Sequence, residues 1–232
     1  MQGDHDMTHQ DYDVATFDCF GTLIDWEGGL ATFLYDVALQ HEVLPAENGH
    51  ALRERWEAIQ FGIIQGDYRL YKEVLAESLR VWMEERGYPW NAAYGEALVR
   101  SMRSWQPFPD TRPALERVRE QGKRLVILSN TDNDLIAHSL RHLEIPFDDV
   151  ITAEDCQSYK PSPRNFERLL AHIGVPPERA LHVAFGFKYD IGPAQKLGMQ
   201  TAWVNRKTEL APGAERPDYI WRDLWGLAEL GG

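Results

Sequence analysis

The stretch from Ala15 to Trp26, ATFDCFGTLIDW, contains a short apolar run that ends at an aspartate and then turns through a glycine. Asp18 follows Phe17 directly, and Thr22 comes four residues after Asp18. A carboxylate at the end of a buried strand either belongs to the local structure or is placed there for chemistry. This stretch alone leaves both interpretations of Asp18 open, and the rest of the chain has to separate them.

The composition is that of a soluble globular protein. The chain has 232 residues, of which 44% are hydrophobic and 26% are charged, so it is long enough for one domain with a large insertion or for two small domains. It carries 36 Asp and Glu residues against 24 Lys and Arg residues. This acidic excess disfavours nucleic acid and anionic membranes as partners, and a small anionic substrate would need local basic residues.

The two cysteines and the N-terminal segment carry no functional motif. Cys19 and Cys156 lie far apart in no metal-binding spacing, which predicts neither a disulfide framework nor a zinc site and favours a reducing, cytoplasmic setting. Residues 1–10 are polar and lack the apolar core of a signal peptide, and no apolar run reaches membrane-spanning length. We expect a loose tail there, with four solvated residues, namely Asp4, His5, Asp6 and His9.

Strand-like apolar runs alternate with helical stretches in the second half of the chain. Together with the first run they predict five strands, at Val14–Phe17, Leu125–Leu128, Val150–Thr152, Leu181–Ala184 and Thr201–Val204. Alternation of this kind predicts an α/β fold, in which a doubly wound, Rossmann-like parallel sheet is covered on both faces. Such sheets bind ligands at the carboxyl ends of their strands, where Asp18, Ser129 and Phe185 fall.

An all-helical segment separates the first two predicted strands. Apolar residues recur there at helical spacing in four groups, beginning at Leu30, Leu52, Tyr71 and Tyr94. Breaks such as QPFPD at Gln106–Asp110 mark the return to the sheet. We therefore predict a helical cap over residues 25–105, inserted after the first strand, and an α/β core made of residues 1–24 and 106–232.

Three further polar positions follow the later strands. LSN places Ser129 and Asn130 after the second long strand, YKPSP places Lys160 before a turn, and Asp190 stands at a predicted helix start. Each has an ordinary explanation, because Ser and Asn cap helices, lysines are usually solvated, and an acid is favoured at a helix N-terminus. Their common place on the rim of one sheet is what favours a joint function.

The order of these motifs resembles that of the haloacid dehalogenase superfamily. FDCFGTLID is the most specific match, LSN and YKP support it, and WVNR at Trp203–Arg206 strengthens it. The resemblance covers nearly the whole chain and implies a doubly wound sheet with a cap after the first strand. It also implies that Asp18 is a nucleophile.

Two phenylalanines distinguish this chain from most of that superfamily. Its magnesium-dependent phosphatases carry a second Asp two residues after the nucleophile and another acid in the last motif, whereas this chain has Phe20 and Phe185 there. Magnesium requires oxygen ligands, usually carboxylates, which an aromatic ring does not provide. The resemblance is therefore to the 2-haloacid dehalogenase branch, which implies no metal and no cofactor.

By this resemblance Asp18 attacks the halogen-bearing carbon of a small 2-haloalkanoic acid, and water hydrolyses the resulting ester. Lys160 would favour the charged form of Asp18, since an opposite charge lowers a carboxyl pKa by about 1–3 units. Asp190 would hold Lys160 and position the hydrolytic water. Relatives of this type are commonly dimers, so a homodimer is an additional expectation.

The remaining site residues also follow from the resemblance. Thr22 and Ser129 would orient Asp18 or the substrate carboxylate, and Asn130 would line the halide or carboxylate pocket. The cap would supply a cation for the halide or the carboxylate, which in LRERWEAIQ falls on Arg55, with Arg53 as the alternative.

The last motif departs from the dehalogenase pattern. Phe185, Gly186 and Phe187 stand where characterised members have a serine and an asparagine near the water, so we expect Cys19, Phe20, Phe185 and Phe187 to give a more apolar pocket. No histidine is placed in sequence to activate Cys19, which favours a small buried residue over a thiol catalyst. Three alternatives stay open: a magnesium-dependent phosphatase, a hydrolase that opens a strained ring such as azetidine-2-carboxylate, and a catalytically silent binding protein.

Overall fold

The computed structural model describes residues 11–42 and 45–230. The predicted tail at residues 1–10, with Asp4, His5, Asp6 and His9, lies outside the described residues. Within the described part, six strands form one parallel sheet: β1 (Val14–Phe17), β2 (Arg124–Ser129), β3 (Asp149–Thr152), β4 (Ala180–Ala184), β5 (Gln200–Val204) and β6 (Tyr219–Trp221). The strand order is β3-β2-β1-β4-β5-β6. The predicted fold class is confirmed, and β6 is an additional strand that the sequence pattern did not predict.

Ten α-helices accompany the sheet within the same described ranges. Four lie within residues 25–105: α1 (Trp26–Leu39), α2 (Gly49–Ile64), α3 (Tyr71–Glu85) and α4 (Ala92–Ser101). The others are α5 (Thr111–Glu120), α6 (Asn133–Leu143), α7 (Ala153–Cys156), α8 (Pro163–Ile173), α9 (Gly192–Lys196) and α10 (Trp225–Leu230). The helical character predicted between the first two strands is thus present in α1 to α4.

Alternating side chains of the strands form a core on each face of the sheet. In β2, Leu125 and Ile127 join the larger cluster, whereas Val126 and Leu128 join the cluster beneath α8. Successive residues of a strand point to opposite faces, so a buried parallel strand has to be apolar throughout. This requirement explains why the apolar runs in the sequence mark these strands.

The strand order reverses at β1, which pairs with β2 on one side and with β4 on the other. In doubly wound sheets, the crevice for a ligand lies at this switch point, beyond the carboxyl ends of the strands. Asp18 directly follows β1, and Phe17 is in register with Ile127 of β2 and Val183 of β4. Asp18 therefore stands at the centre of the rim.

The helical insertion is fastened to this rim by hydrogen bonds to buried groups. The Asp132 carboxylate, which is 0% exposed, accepts from the backbone N–H groups of Tyr71 at 2.7 Å and Lys72 at 2.9 Å. It thereby satisfies two of the free donors at the N-terminus of α3. The Tyr159 hydroxyl donates to the carbonyl of Arg69 at 2.8 Å. These bonds hold the start of α3 above the carboxyl ends of the strands.

The structure also describes the two cysteines and the length of the apolar helices. Cys19 and Cys156 are buried free thiols. Among the helices in residues 11–42 and 45–230, none is both long enough and apolar enough to cross a membrane. The division into a core and a cap at residues 25–105 remains a prediction about independent units.

Candidate active site

The turn after β1 folds Thr22 back onto Asp18. Gly21 has a φ of +101°, and a Cβ on it would lie 2.7 Å from Cδ1 of Phe185, so this position requires glycine. The Thr22 hydroxyl donates to Asp18 Oδ2 at 2.9 Å and accepts from the backbone N–H of Phe185 at 2.9 Å. One oxygen of the Asp18 carboxylate is therefore fixed by a side chain that is itself anchored to the end of β4.

Lys160 holds the other oxygen of Asp18. Its Nζ donates to Asp18 Oδ1 at 2.9 Å, to Asp190 Oδ1 at 2.7 Å and to the carbonyl of Leu128 at 2.9 Å. Lys160 is 1% exposed, and an ammonium has three N–H donors, so all three are used. The structure brings together Asp18, Lys160 and Asp190, as the sequence pattern predicted.

Asn130 positions the loop that carries Lys160. Its Oδ1 accepts from the backbone N–H of Lys160 at 2.7 Å, and its Nδ2 donates to the carbonyl of Lys160 at 3.0 Å. This two-point contact joins the end of β2 to the Lys160 loop. It uses both the oxygen and the nitrogen of the Asn130 side-chain amide.

A second layer lies behind Asp190. His182, in β4, places Nε2 3.0 Å from Asp190 Oδ1 and Nδ1 2.8 Å from the hydroxyl of Thr16 in β1. His182 and Thr16 are both 0% exposed. With a neutral imidazole, Nε2–H donates to Asp190 and the Thr16 hydroxyl donates to Nδ1, which satisfies all three side chains. His182 and Thr16 were not predicted as site residues, because both lie inside apolar runs that are typical of ordinary buried strands.

Burial sets the titration of Asp18. It raises the pKa of the Asp18 carboxyl above its usual range, and although Lys160 and Thr22 oppose this, the charge of Asp190 adds to it. Lys160 lowers the pKa of Asp18 as expected, but burial outweighs this effect and the net direction is upward. Burial acts on Asp190 too, but Lys160 and His182 together hold its pKa below the usual value. For Lys160, burial is outweighed by its two carboxylate partners, and its pKa is raised.

A cavity of about 80 Å³ opens above Asp18. It is smaller than a cavity of about 150 Å³ that accepts benzene, so it suits a substrate of a few non-hydrogen atoms. Six predicted site residues line it: Asp18, Phe20, Ser129, Asn130, Lys160 and Phe185. The helical insertion adds Trp26, Trp56, Glu57, Gln60 and Tyr71, and Gly186 and Tyr189 complete the wall. These residues of the insertion were not predicted, because their place in the wall depends on which helix face turns toward the sheet.

Three predicted pocket residues lie elsewhere. Cys19 is 0% exposed within the core, and burial, followed by the charge of Asp18, raises the pKa of its thiol well above the usual value. Phe187 packs edge-on against Trp203 with ring centroids 5.0 Å apart, and both rings belong to a small buried cluster that also contains Ile191. Neither side chain belongs to the cavity wall.

Arg55 is the third. Its guanidinium pairs with Glu85 of α3, and its side chain is 51% exposed and does not line the cavity. The structure therefore does not place Arg55, the predicted cap cation, at the cavity. Arg53 is buried and lies closer, with its guanidinium 5.5 Å from the ring centre of Trp26, a residue of the cavity wall. It is paired with Glu57 at 2.7 Å and with Glu27 at 3.1 Å.

The side chains present do not fit a divalent cation. In the part of the chain that the structure describes, no group of three or more His, Cys, Asp or Glu side chains is arranged to hold a metal ion. Phe20 and Phe185 line the cavity where magnesium-dependent members of the resembled superfamily carry acids. Magnesium prefers near-octahedral oxygen ligation, and here Asp18 and Asp190 already share the Lys160 ammonium.

Known proteins resemble this chain over most of its length. The chain is 26% identical over 223 residues to (S)-2-haloacid dehalogenase 4A of Burkholderia cepacia, covering 92% of this chain and 94% of the relative. It is 26% identical over 202 residues to haloacetate dehalogenase H-2 of Moraxella sp. (strain B), covering 84% and 86%. The crystal structure of the L-2-haloacid dehalogenase RSc1362 superposes with a TM-score of 0.85 at 23% identity, covering 95% and 99%, which shows a shared fold.

The match to a family model decides the assignment. The model described as haloacid dehalogenase-like hydrolase matches residues 12–198, which include Asp18, Lys160 and Asp190. The matched region also contains all the described strands up to β4 and the helical insertion. The chain therefore belongs to the haloacid dehalogenase-like hydrolases.

Proposed function

We propose that the protein displaces halide from the carbon of a small 2-halo substrate by hydrolysis, through an ester formed on Asp18, with 2-haloalkanoic acids as the first substrates to test. The observation that carries this proposal is a nucleophilic carboxylate, held at both oxygens, in a small cavity whose neighbouring positions are aromatic. An aromatic wall suits an apolar C–halogen bond. The names of the curated relatives point to the same reaction.

The reaction has two steps on this geometry. An Asp18 oxygen forms a bond to the halogen-bearing carbon, and the carbon–halogen bond breaks, so that halide leaves with the electron pair. Water then adds to the carbonyl carbon of the ester. The single bond between this carbon and the ester oxygen breaks, the hydroxy product leaves, and one proton passes to solvent. Asp18 is regenerated as a carboxylate.

The surrounding groups support both steps. When Asp18 becomes a neutral ester, Asp190 keeps its charge and holds the Lys160 ammonium in place beside the ester. Two buried polar groups in cavity-lining residues, the Ser129 hydroxyl and the Trp56 Nε1–H, have no hydrogen-bond partner among the described residues. A departing halide or a substrate carbonyl oxygen would accept hydrogen bonds from them, and such placed donors stabilise charge as it develops.

The decisive experiment is halide release from chloro-, bromo- and fluoro-substituted 2-halo acids, with and without a chelator. We expect release that a chelator leaves unchanged and that Asp18→Asn abolishes. Single-turnover hydrolysis in ¹⁸O-labelled water then tests the ester, because the label enters Asp18 if water attacks the carboxyl carbon. Label found only in the product contradicts the ester, and magnesium-stimulated phosphate release from phosphate esters, with no halide chemistry, replaces the proposal with a phosphatase.

A further inference from the structure

His182 is a fully buried polar residue in the middle of β4, whose other residues are apolar. Leu181 and Val183 belong to the larger core, so His182 points to the opposite face of the sheet. There its ring packs edge-on against Phe166, with ring centroids 5.2 Å apart. A leucine would fill this place without the cost of desolvating two ring nitrogens, so packing alone does not explain the histidine.

The partners of the two ring nitrogens fix their roles. Nε2 lies 3.0 Å from Asp190 Oδ1, and a carboxylate only accepts, so Nε2 carries the proton and donates to Asp190. Nδ1 lies 2.8 Å from the hydroxyl of Thr16, whose other acceptor, the carbonyl of Leu181, is farther away at 3.5 Å. Thr16 therefore donates to Nδ1 and favours the Nε2–H tautomer. Two hydrogen bonds thus connect β1, the strand that ends at Asp18, with Asp190.

The two oxygens of Asp190 have different surroundings. Oδ1 accepts from His182 and also from Lys160 Nζ at 2.7 Å. Oδ2 lies toward Gly186, because a Cβ on Gly186 would be only 2.6 Å from it. Gly186 lines the cavity, and its φ of −72° is ordinary for any residue, so the close approach of Oδ2 is what requires glycine there. Asp190 thus turns Oδ2 toward the cavity wall while Oδ1 is held from behind.

Lys160 alone does not fix this orientation throughout the reaction. Its ammonium is shared between Asp18 and Asp190. In the proposed reaction Asp18 loses its charge when the ester forms and regains it on hydrolysis, so the attraction between Asp18 and Lys160 changes twice in each turnover. The hydrogen bond from His182 to Asp190 involves no reacting atom and is present in both states.

We propose that His182, held in its Nε2–H tautomer by Thr16, is a positioning residue that keeps the Asp190 carboxylate charged and turned with Oδ2 toward the cavity while the Asp18 ester is hydrolysed. The inference rests on the proposed function for its reaction. His182 is not a residue of the cavity wall, so it acts through Asp190 alone.

The first test is His182→Leu, which removes both ring nitrogens. With chloroacetate as substrate, kcat/KM reports formation of the ester, whereas the decay of the ester is followed directly by mass spectrometry of acid-quenched protein. We expect the rate of ester hydrolysis to fall about ten- to a hundredfold, which is what one hydrogen bond to a charged group is worth. The change in kcat/KM should be much smaller, and the ester on Asp18 should accumulate.

Three companion variants separate positioning from a general loss of stability. His182→Gln keeps an N–H donor for Asp190 and should restore most of the rate. Val183→Ala removes core volume from the opposite face of the same strand and should destabilise the protein without slowing ester hydrolysis. Thr16→Val frees the imidazole to adopt the other tautomer and should slow hydrolysis less than His182→Leu does.

Two kinetic results overturn the inference. One is ester hydrolysis that His182→Leu leaves unchanged, and the other is a slowing that Val183→Ala reproduces and His182→Gln does not reverse. If His182→Leu does not fold, Thr16→Val decides by the same measurement.

The titration of Asp190, followed by carbon-13 NMR of its carboxyl group, separates this inference from the proposed reaction. Burial raises the pKa of Asp190, and Lys160 and then His182 lower it. Asp18 and Tyr189 also interact with its charge and are the same in every variant. We expect His182→Leu to raise the pKa of Asp190 and His182→Gln to bring it back toward the wild-type value. With these shifts but no halide release, the positioning stands and only the proposed reaction fails. An unchanged pKa of Asp190 overturns the positioning whether or not halide is released.

Discussion

Replacing Lys160 with methionine tests whether the buried triad of Asp18, Lys160 and Asp190 is ionised as its geometry indicates. Methionine keeps much of the length and apolar volume of lysine but removes the ammonium. Lys160 is 1% exposed, and its Nζ lies 2.9 Å from Asp18 Oδ1 and 2.7 Å from Asp190 Oδ1. The substitution therefore leaves two buried carboxylates that face one another without a counter-charge.

The expected destabilisation follows from that loss. Removing one partner of a buried ion pair costs about 3–5 kcal/mol, because the remaining charge stays buried and unpaired. For a chain of this length, each 1 kcal/mol lowers the Tm by about 2–4 °C. We therefore expect the Lys160→Met variant to melt about 6–20 °C below the wild type at neutral pH and to release no halide.

The pH dependence gives the sharper test. In the wild type, Lys160 helps to keep the pKa of Asp190 low, so this contribution to stability is present above the ordinary aspartate pKa and is lost only as the pH falls through the lowered value. In the variant, Thr22 still opposes burial at Asp18 and His182 still opposes it at Asp190, but the ammonium is gone. Both pKa values therefore rise, and protonation relieves the repulsion between the two carboxylates. The difference in unfolding free energy is then largest near about pH 8 and shrinks toward about pH 5.

Urea unfolding followed by tryptophan fluorescence at several pH values measures that difference. Lys196→Met is the control, because Lys196 is exposed at the end of α9, and the change there should alter stability by less than about 0.5 kcal/mol. A loss below about 1 kcal/mol for Lys160→Met, or a loss that does not vary with pH, would refute an ionised triad.

Three further outcomes follow from the same structure. Asp190→Asn removes a like charge from Asp18, so the acid limb of the kcat/KM profile for halide release should move to lower pH, whereas a limb that stays in place contradicts the coupling. Asp132→Ala removes the acceptor of two N–H groups at the start of α3 and should lower the free energy of unfolding in urea by about 0.5–2 kcal/mol. It should also raise KM more than it lowers kcat. An unchanged KM would argue against a role of Asp132 in holding the insertion. Arg55→Ala should leave kcat/KM unchanged, and a large loss would return Arg55 to the substrate site.

The sheet was predictable because its strands are buried on both faces. β1 coincides with the predicted Val14–Phe17, and the edges of the next four strands differ from their predicted positions by at most one residue. β6 escaped prediction because Tyr219–Trp221 is a three-residue strand at the sheet edge, only partly buried, which leaves too short an apolar signal. The apolar residues of α1 were easier to predict than the residue at which the helix starts. In the structure, Asp25 caps the helix by accepting from the N–H of Gly28 at 3.0 Å.

The rim of the site was predictable for a topological reason. The carboxyl ends of parallel strands meet at one edge, so Asp18, Ser129 and the Lys160 loop had to come together once the sheet was identified. His182 was not predictable in this way, because its position in β4 is distinguished only by the partner that faces it, Asp190. The net pKa direction of Asp18 was also out of reach, since it depends on the degree of burial rather than on the presence of Lys160.

The choice between Arg53 and Arg55 was contained in the helical period of α2. Two residues along a helix correspond to a rotation of about 200°, so the two arginines point to opposite sides. Trp56, which is buried, stands three residues after Arg53 and shares its face. Glu57 follows Arg53 by four residues on the same face and pairs with it. The face of α2 that brings a cation toward the cavity therefore also brings an acid that pairs with it, so the helical period predicts which side of α2 faces the cavity but not the net charge of that side.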